Sequence, residues 1–182
     1  MKLVFKQYVA ALRERDELDV VLPDLLSELG YNVISRPGKG TDQAGVDVLA
    51  VGPATVSGEK KLYAFTIKKG DLTRNDWDQT NQSLVSSISD IIFNYFPSRV
   101  PPEFKNLEKV ICICFGGDIQ EPMRARITGL MKVHCERYGV DFEEWNGDKL
   151  AGLLSDGILH EQLVTKDLRS YFQKSIAMLD EP

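Results

Sequence analysis

Two short apolar runs constrain this chain more than any other stretch: Gly45-Val46-Asp47-Val48-Leu49-Ala50-Val51 and Leu62-Tyr63-Ala64-Phe65-Thr66-Ile67-Lys68. Both are bounded by Gly and Pro, and a loop holding Pro53 and Gly58 separates them, so they read as a pair of β-strands joined by a turn. Each carries charge where a buried strand would carry none, Asp47 inside the first and Lys68 at the end of the second. An unpaired carboxylate or ammonium in a core costs several kcal/mol, so a charge placed there has either a partner or a task.

Around this pair the sequence predicts alternating helices and strands. Val4, Phe5, Tyr8, Val9 and Leu12 fall at helical spacing and predict an amphipathic helix over residues 3–15, closing on the charged run Arg13 to Glu17. Leu18, Val21, Leu22, Leu25, Leu26 and Leu29 predict a second helix stopped by Gly30, with Pro23 expected to kink it or to mark its true beginning. Tyr31 to Ser35 reads as a short strand and Arg36 to Asp42 as a loop. Beyond Asp71, Trp77, Leu84, Val85, Ile88, Ile91, Ile92 and Tyr95 repeat at three and four, predicting one long helix over 75–96 with Trp77 anchoring it on the sheet.

A proline-rich connector leads to Lys109–Phe115, a continuous apolar run that fits a strand buried on both faces. Residues 120–138 form a further helix, 140–145 an edge strand, 149–154 a short helix, and 158–179 a last helical pattern that could lead into further domains of a longer protein. The expected architecture is an α/β sandwich, a mixed central sheet flanked by helices, whose first strands form a meander. A length of 182 residues suits a single domain, with a core over about 17–155.

Composition excludes little else. Hydrophobic content of 43% and charged content of 27% are those of an ordinary globular chain, with no disordered or fibrous bias. No apolar run reaches the ~20 residues of a membrane span and the start lacks a signal-peptide pattern, so a cytoplasmic location is expected. Cys112, Cys114 and Cys135 lack zinc spacing and are expected as buried, reduced thiols. His134 and His160 have no ligand spacing around them. The net charge of −5 argues against a protein coated in positive charge, yet Arg36, Lys39, Lys60, Lys61, Lys68, Lys69 and Arg74 gather around the two strands, where they form either a solvated edge or a basic cleft.

Residues two apart in a strand share a face, so Thr66 and Lys68 point the same way, and antiparallel pairing in suitable register lets Asp47 meet Lys68. A carboxylate beside an ammonium can hold a hard divalent cation and steer a water nucleophile, which are the parts phosphodiester cleavage needs.

At this point the chain resembles a known family. Leu29-Gly30-Tyr31 closing a helix, then Gly45-Val46-Asp47, then Thr66-Ile67-Lys68 closing a strand, look like the PD-(D/E)XK nuclease superfamily, particularly its Mrr-like restriction endonuclease branch. The stretch Val140 to Leu150 is similar to the closing strand and turn of that branch. The resemblance implies a restriction-endonuclease-like sandwich and a Mg²⁺-dependent DNA endonuclease, with Mn²⁺ as a substitute. It implies Asp47 as metal ligand, Lys68 as catalytic lysine and Asp19 on the early helix as an assisting acid; Lys69, Arg74 and Lys39 are, by their own charge, the expected phosphate contacts. It also implies work as a homodimer, within a bacterial defence protein or alongside its partners.

One position departs from the pattern. Thr66 stands where the family carries Glu, Asp or Gln, and a neutral hydroxyl is a poorer ligand. Three explanations remain open at the level of sequence: Asp71, Asp78, Gln79 or Gln82 replaces the acid; Thr66 and the Ile67 carbonyl suffice around one ion; or catalysis is lost and the domain binds nucleic acid or a protein partner.

Overall fold

The computed structural model describes residues 2–36, 43–53, 58–79 and 83–155. Lys39, Gln82, His160 and the helical pattern at 158–179 lie outside these residues.

Five strands form a single sheet in the order β1 (Asn32–Ser35), β2 (Val48–Val51), β3 (Lys61–Lys68), β4 (Glu108–Phe115) and β5 (Asp141–Trp145). β1, β2 and β3 pair antiparallel, the expected meander, whereas β3–β4 and β4–β5 are parallel. Parallel neighbours need crossovers, and helices supply them. β4 lies between two partners, and Val110 to Phe115 are all buried, which is why that run contains no polar residue.

Strand alternation divides the core in two. Val48, Ala50, Phe65, Ile67, Cys112, Cys114 and Trp145 face α1 (Lys2–Ala11), α2 (Asp19–Glu28) and, last in the chain, the helix Gly147–Leu153. Leu49, Val51, Leu62, Ala64, Ile111, Ile113 and Phe115 face the other helical layer. That layer holds α3 (Arg74–Asp78), α4 (Leu84–Asp90) with its π-helical continuation Ile91–Tyr95, α5 (Phe96–Ser98) and α6 (Glu121–Tyr138); the helix Gly147–Leu153 is α7. The result is the mixed α/β sandwich expected from the sequence.

The helices depart from expectation in two places. α1 ends at Ala11, and residues 13–18 form an elbow instead of continuing it: Arg15 is extended and Asp16 has φ 63°. The single helix expected over 75–96 is described as two, because Ser83 is extended and its hydroxyl oxygen accepts the Ser86 N–H, starting α4 afresh. Trp77 nonetheless packs on the second layer's core, as expected of an anchor. Pro23 neither begins nor ends α2, which starts four residues earlier and takes the loss of one backbone donor.

The cysteines are free, and Cys112 and Cys114 are buried as expected, but Cys135 is exposed on α6. His134 is held structurally, its Nδ1 2.9 Å from the Leu130 carbonyl and its ring against Tyr138 and Phe142. No described helix is long and apolar enough to cross a membrane.

Candidate functional site

The site is built outward from Gly45. Its φ is 79°, and a Cβ there would lie 2.2 Å from the Ser87 carbonyl oxygen, so only glycine lets the chain pass α4 and turn into β2. Two residues later the Asp47 N–H donates to the Phe65 carbonyl at 2.8 Å, extending the β2–β3 pairing beyond the strand itself. Asp47 Oδ2 then accepts the Ile67 N–H at 2.7 Å, taking the place a backbone carbonyl would hold in the ladder. That bond sets the carboxylate beside β3, level with the residue between Thr66 and Lys68.

Burial pushes the Asp47 carboxyl up to about 6, even though the Ile67 amide and the Lys68 charge pull it down. Two further carboxylates, Glu14 and Asp19, add to the rise. Asp19, in the first turn of α2, is itself raised, by burial first and then by the charges of Asp16 and Glu14, while the backbone amides of Asp16 and Glu17 lower it. Its Oδ1 is buried and has no hydrogen-bond partner. Lys68 and Asp19, singled out in the sequence on separate elements, thus both act on Asp47 at one end of the sheet.

Lys68 is only 7% exposed, and among the described residues its ammonium forms no ion pair or hydrogen bond. Thr66, 1% exposed, shares its face of β3 by alternation, and Thr66 Oγ1 is also buried without a partner. A buried hydroxyl left unpaired costs about 1–3 kcal/mol, so Thr66 is not explained as a packing residue.

The described candidates for replacing an acid at Thr66 have hydrogen-bond partners of their own. Asp71 Oδ1 accepts the Asp118 N–H at 2.8 Å and pins the turn after β4. Asp78 and Gln79 bond each other at 3.0 Å on the exposed surface. Lys69 and Arg74 are exposed and without an ion pair among the described residues, although the Lys69 charge acts on Glu17. Others of the basic group are engaged: Arg36 pairs with Asp24 at 2.9 Å, and Lys61 with Glu108 and Asp141 at 2.8 and 3.3 Å.

Sequence reasoning missed Glu14, whose charge acts on both Asp47 and Asp19, because the run from Arg13 to Glu17 reads as the solvated end of a helix. The available signal was the gap between Leu12 and Leu18, six residues apart and both buried, which no single helix can place on one stripe.

These oxygens suit a hard cation in chemistry, since Asp19 Oδ1 has no partner among the described residues and burial leaves Asp47 short of compensation for its charge. Yet among the described residues no three Asp, Glu, His or Cys side chains stand close enough to hold a metal ion unaided. Two carboxylates with the remaining positions filled by water and substrate is a set that Mg²⁺ accepts, because Mg²⁺ keeps several waters.

No protein-family model matches the chain, and no curated protein matches it. Among solved structures, it is similar to the MspJI restriction endonuclease in complex with a 27-mer oligonucleotide, at 11% identity and a TM-score of 0.42, covering 97% of this chain and 34% of that one. The chain spans about a third of that protein's length. So loose a likeness bears on neither the site nor its activity.

Proposed function

We propose that this chain is a Mg²⁺-dependent DNA endonuclease domain whose centre is Asp47, Asp19 and Lys68. The observation that carries the reading is the Asp47 carboxylate, held at the sheet end by the Ile67 amide at 2.7 Å and pushed up to about 6, beside a nearly buried lysine that has no ion pair among the described residues. Asp47 and Asp19 would hold the cation, with the Thr66 hydroxyl as a neutral oxygen nearby. Bound there, Mg²⁺ would polarise the scissile phosphate and acidify a water. Lys68 orients the attacking water and offsets charge developing on the phosphate, and its burial strengthens both effects. Lys69 and Arg74 contact the flanking phosphates, which positions the duplex without reading its sequence. Cutting both strands would take a second copy of the chain.

A second reading is favoured by Thr66 alone: a domain of the same fold that binds nucleic acid or a protein without cutting. Plasmid cleavage in Mg²⁺ or Mn²⁺ by the native chain, Asp47→Ala and Lys68→Ala separates the two. The nuclease reading expects cutting by the native chain only. Equal cutting by all three would sink the proposed centre, and DNA binding with no cutting under either metal would favour the second reading.

A further inference from the structure

The elbow between α1 and α2 is built around a buried acid that takes no part in the proposed chemistry. Glu17 is 7% exposed, and both of its oxygens are used. Oε2 accepts the Arg13 backbone N–H at 2.6 Å; Oε1 accepts Arg13 Nε at 2.7 Å and lies 2.6 Å from Nη2. The Leu18 N–H closes the same loop by donating to the Arg13 carbonyl at 3.0 Å. The loop so closed contains Asp16 at φ 63°, a left-handed conformation that a residue other than glycine adopts at a cost.

Two guanidinium nitrogens converging on one carboxylate oxygen, with a backbone N–H on the other, hold such a loop firmly, because every one of these bonds is charge-assisted. What the loop holds in turn is Asp19. The Asp19 backbone N–H donates to the Glu14 and Glu17 carbonyls of the loop, and Asp19 Oδ1 is buried without a partner among the described residues. Opening the clamp would release the left-handed turn and loosen the carbonyls that hold the Asp19 backbone.

We propose that Glu17, clamped by Arg13, is a positioning residue that fixes Asp19 at the metal end of the sheet. The inference rests on the reading of that end as a metal-dependent centre, and it assigns the clamp a part in metal affinity beyond its part in stability.

The test is Mn²⁺ binding by calorimetry, with plasmid cleavage as a function of Mn²⁺ concentration, for the native chain, Glu17→Gln and Arg13→Ala. Arg13→Ala keeps the backbone bond to Glu17 and is the milder variant should Glu17→Gln fold poorly. Groups that orient metal ligands cost about 10- to 100-fold in affinity when removed. Glu17→Gln should therefore bind Mn²⁺ at least tenfold more weakly, and Arg13→Ala severalfold, with saturating Mn²⁺ restoring most of the cleavage rate and KM for DNA unchanged. A clamp that is only structural would lower Tm and cleavage together with no rescue by Mn²⁺, which overturns the proposal. Unchanged Mn²⁺ affinity in both variants overturns it too, leaving the nuclease reading intact. A native chain that neither binds Mn²⁺ nor cleaves overturns both.

Discussion

The two ends of β3 each carry a lysine, and they are treated in opposite ways. At the start of the strand, Lys61 lies between Glu108 at 2.8 Å and Asp141 at 3.3 Å, and its hydrogen bond to Glu108, then that to Asp141, hold its ammonium well above the usual lysine range. It ties the first residues of three strands together across the surface. At the far end Lys68 is nearly buried and has no partner of its own among the described residues, and the carboxylate nearby, Asp47, has its proton held on by burial. Lys61 has its charge satisfied within the fold. The Lys68 end is left electrostatically incomplete, which is an unfavourable arrangement unless something else arrives to complete it.

The largest expected effect comes from removing the groups at the incomplete end. Asp47→Ala and Lys68→Ala should each lower metal-dependent plasmid cleavage by about 10²-fold or more, the range for a group that acts on transition-state charge. Lys61→Met should leave the rate unchanged. A similar loss from both lysines would erase the distinction between the ends.

Next in size is a backbone effect. Gly45→Ala forces a Cβ against the Ser87 carbonyl at a φ of 79°, and should cost about 2–4 kcal/mol in urea unfolding. A cost below 1 kcal/mol would show that the approach to Asp47 is less confined than its geometry indicates.

A third test uses pH. The Asp47 carboxyl is raised in the folded state, from 3.8 to about 6, so folding holds its proton more tightly than the unfolded chain does. Ionised Asp47 therefore weakens the fold above about pH 6, and the penalty fades as pH falls through that value and is gone below about 4. Its size is on the order of 2–3 kcal/mol. Asp47→Asn keeps an acceptor for the Ile67 amide and carries no charge. It should be more stable than the native chain by about that amount at pH 8 without metal, with the gap closing near pH 4. Mg²⁺ should narrow the gap at pH 8 by stabilising only the native chain.

Thr66→Val should raise metal-free stability by about 1 kcal/mol, since it removes a buried hydroxyl that has no partner. Cleavage should fall severalfold if the hydroxyl serves as a neutral oxygen at the centre; unchanged cleavage would make Thr66 a bystander. The smallest effect belongs to the other end: Lys61→Met should leave the urea unfolding midpoint almost unmoved, because its two ion pairs are exposed to solvent and salt.

Much of this contrast was legible in the sequence. The sheet could be read because alternation and continuous apolar runs report directly on which strand faces are buried, and Asp47 and Lys68 were conspicuous as charges inside such runs. The elbow could not be read, since the left-handed turn at Asp16 uses no glycine and its clamp joins two residues of what reads as a solvated charge run. The break before α4 was hidden because Trp77 and Leu84 keep helical spacing across it, with Ser83 as the lone sign. Nor could burial at Thr66 be foreseen. A threonine in a strand is ordinary, and only the packed structure leaves its hydroxyl unpaired.

The most direct test of the incomplete end is a carbon-13 NMR titration of the Asp47 side-chain carboxyl, with and without Mg²⁺. The account predicts a midpoint near 6 in the metal-free protein that drops by more than one pH unit when Mg²⁺ is added. A midpoint near 4 in both conditions, or one that stays near 6 in saturating Mg²⁺, would contradict it.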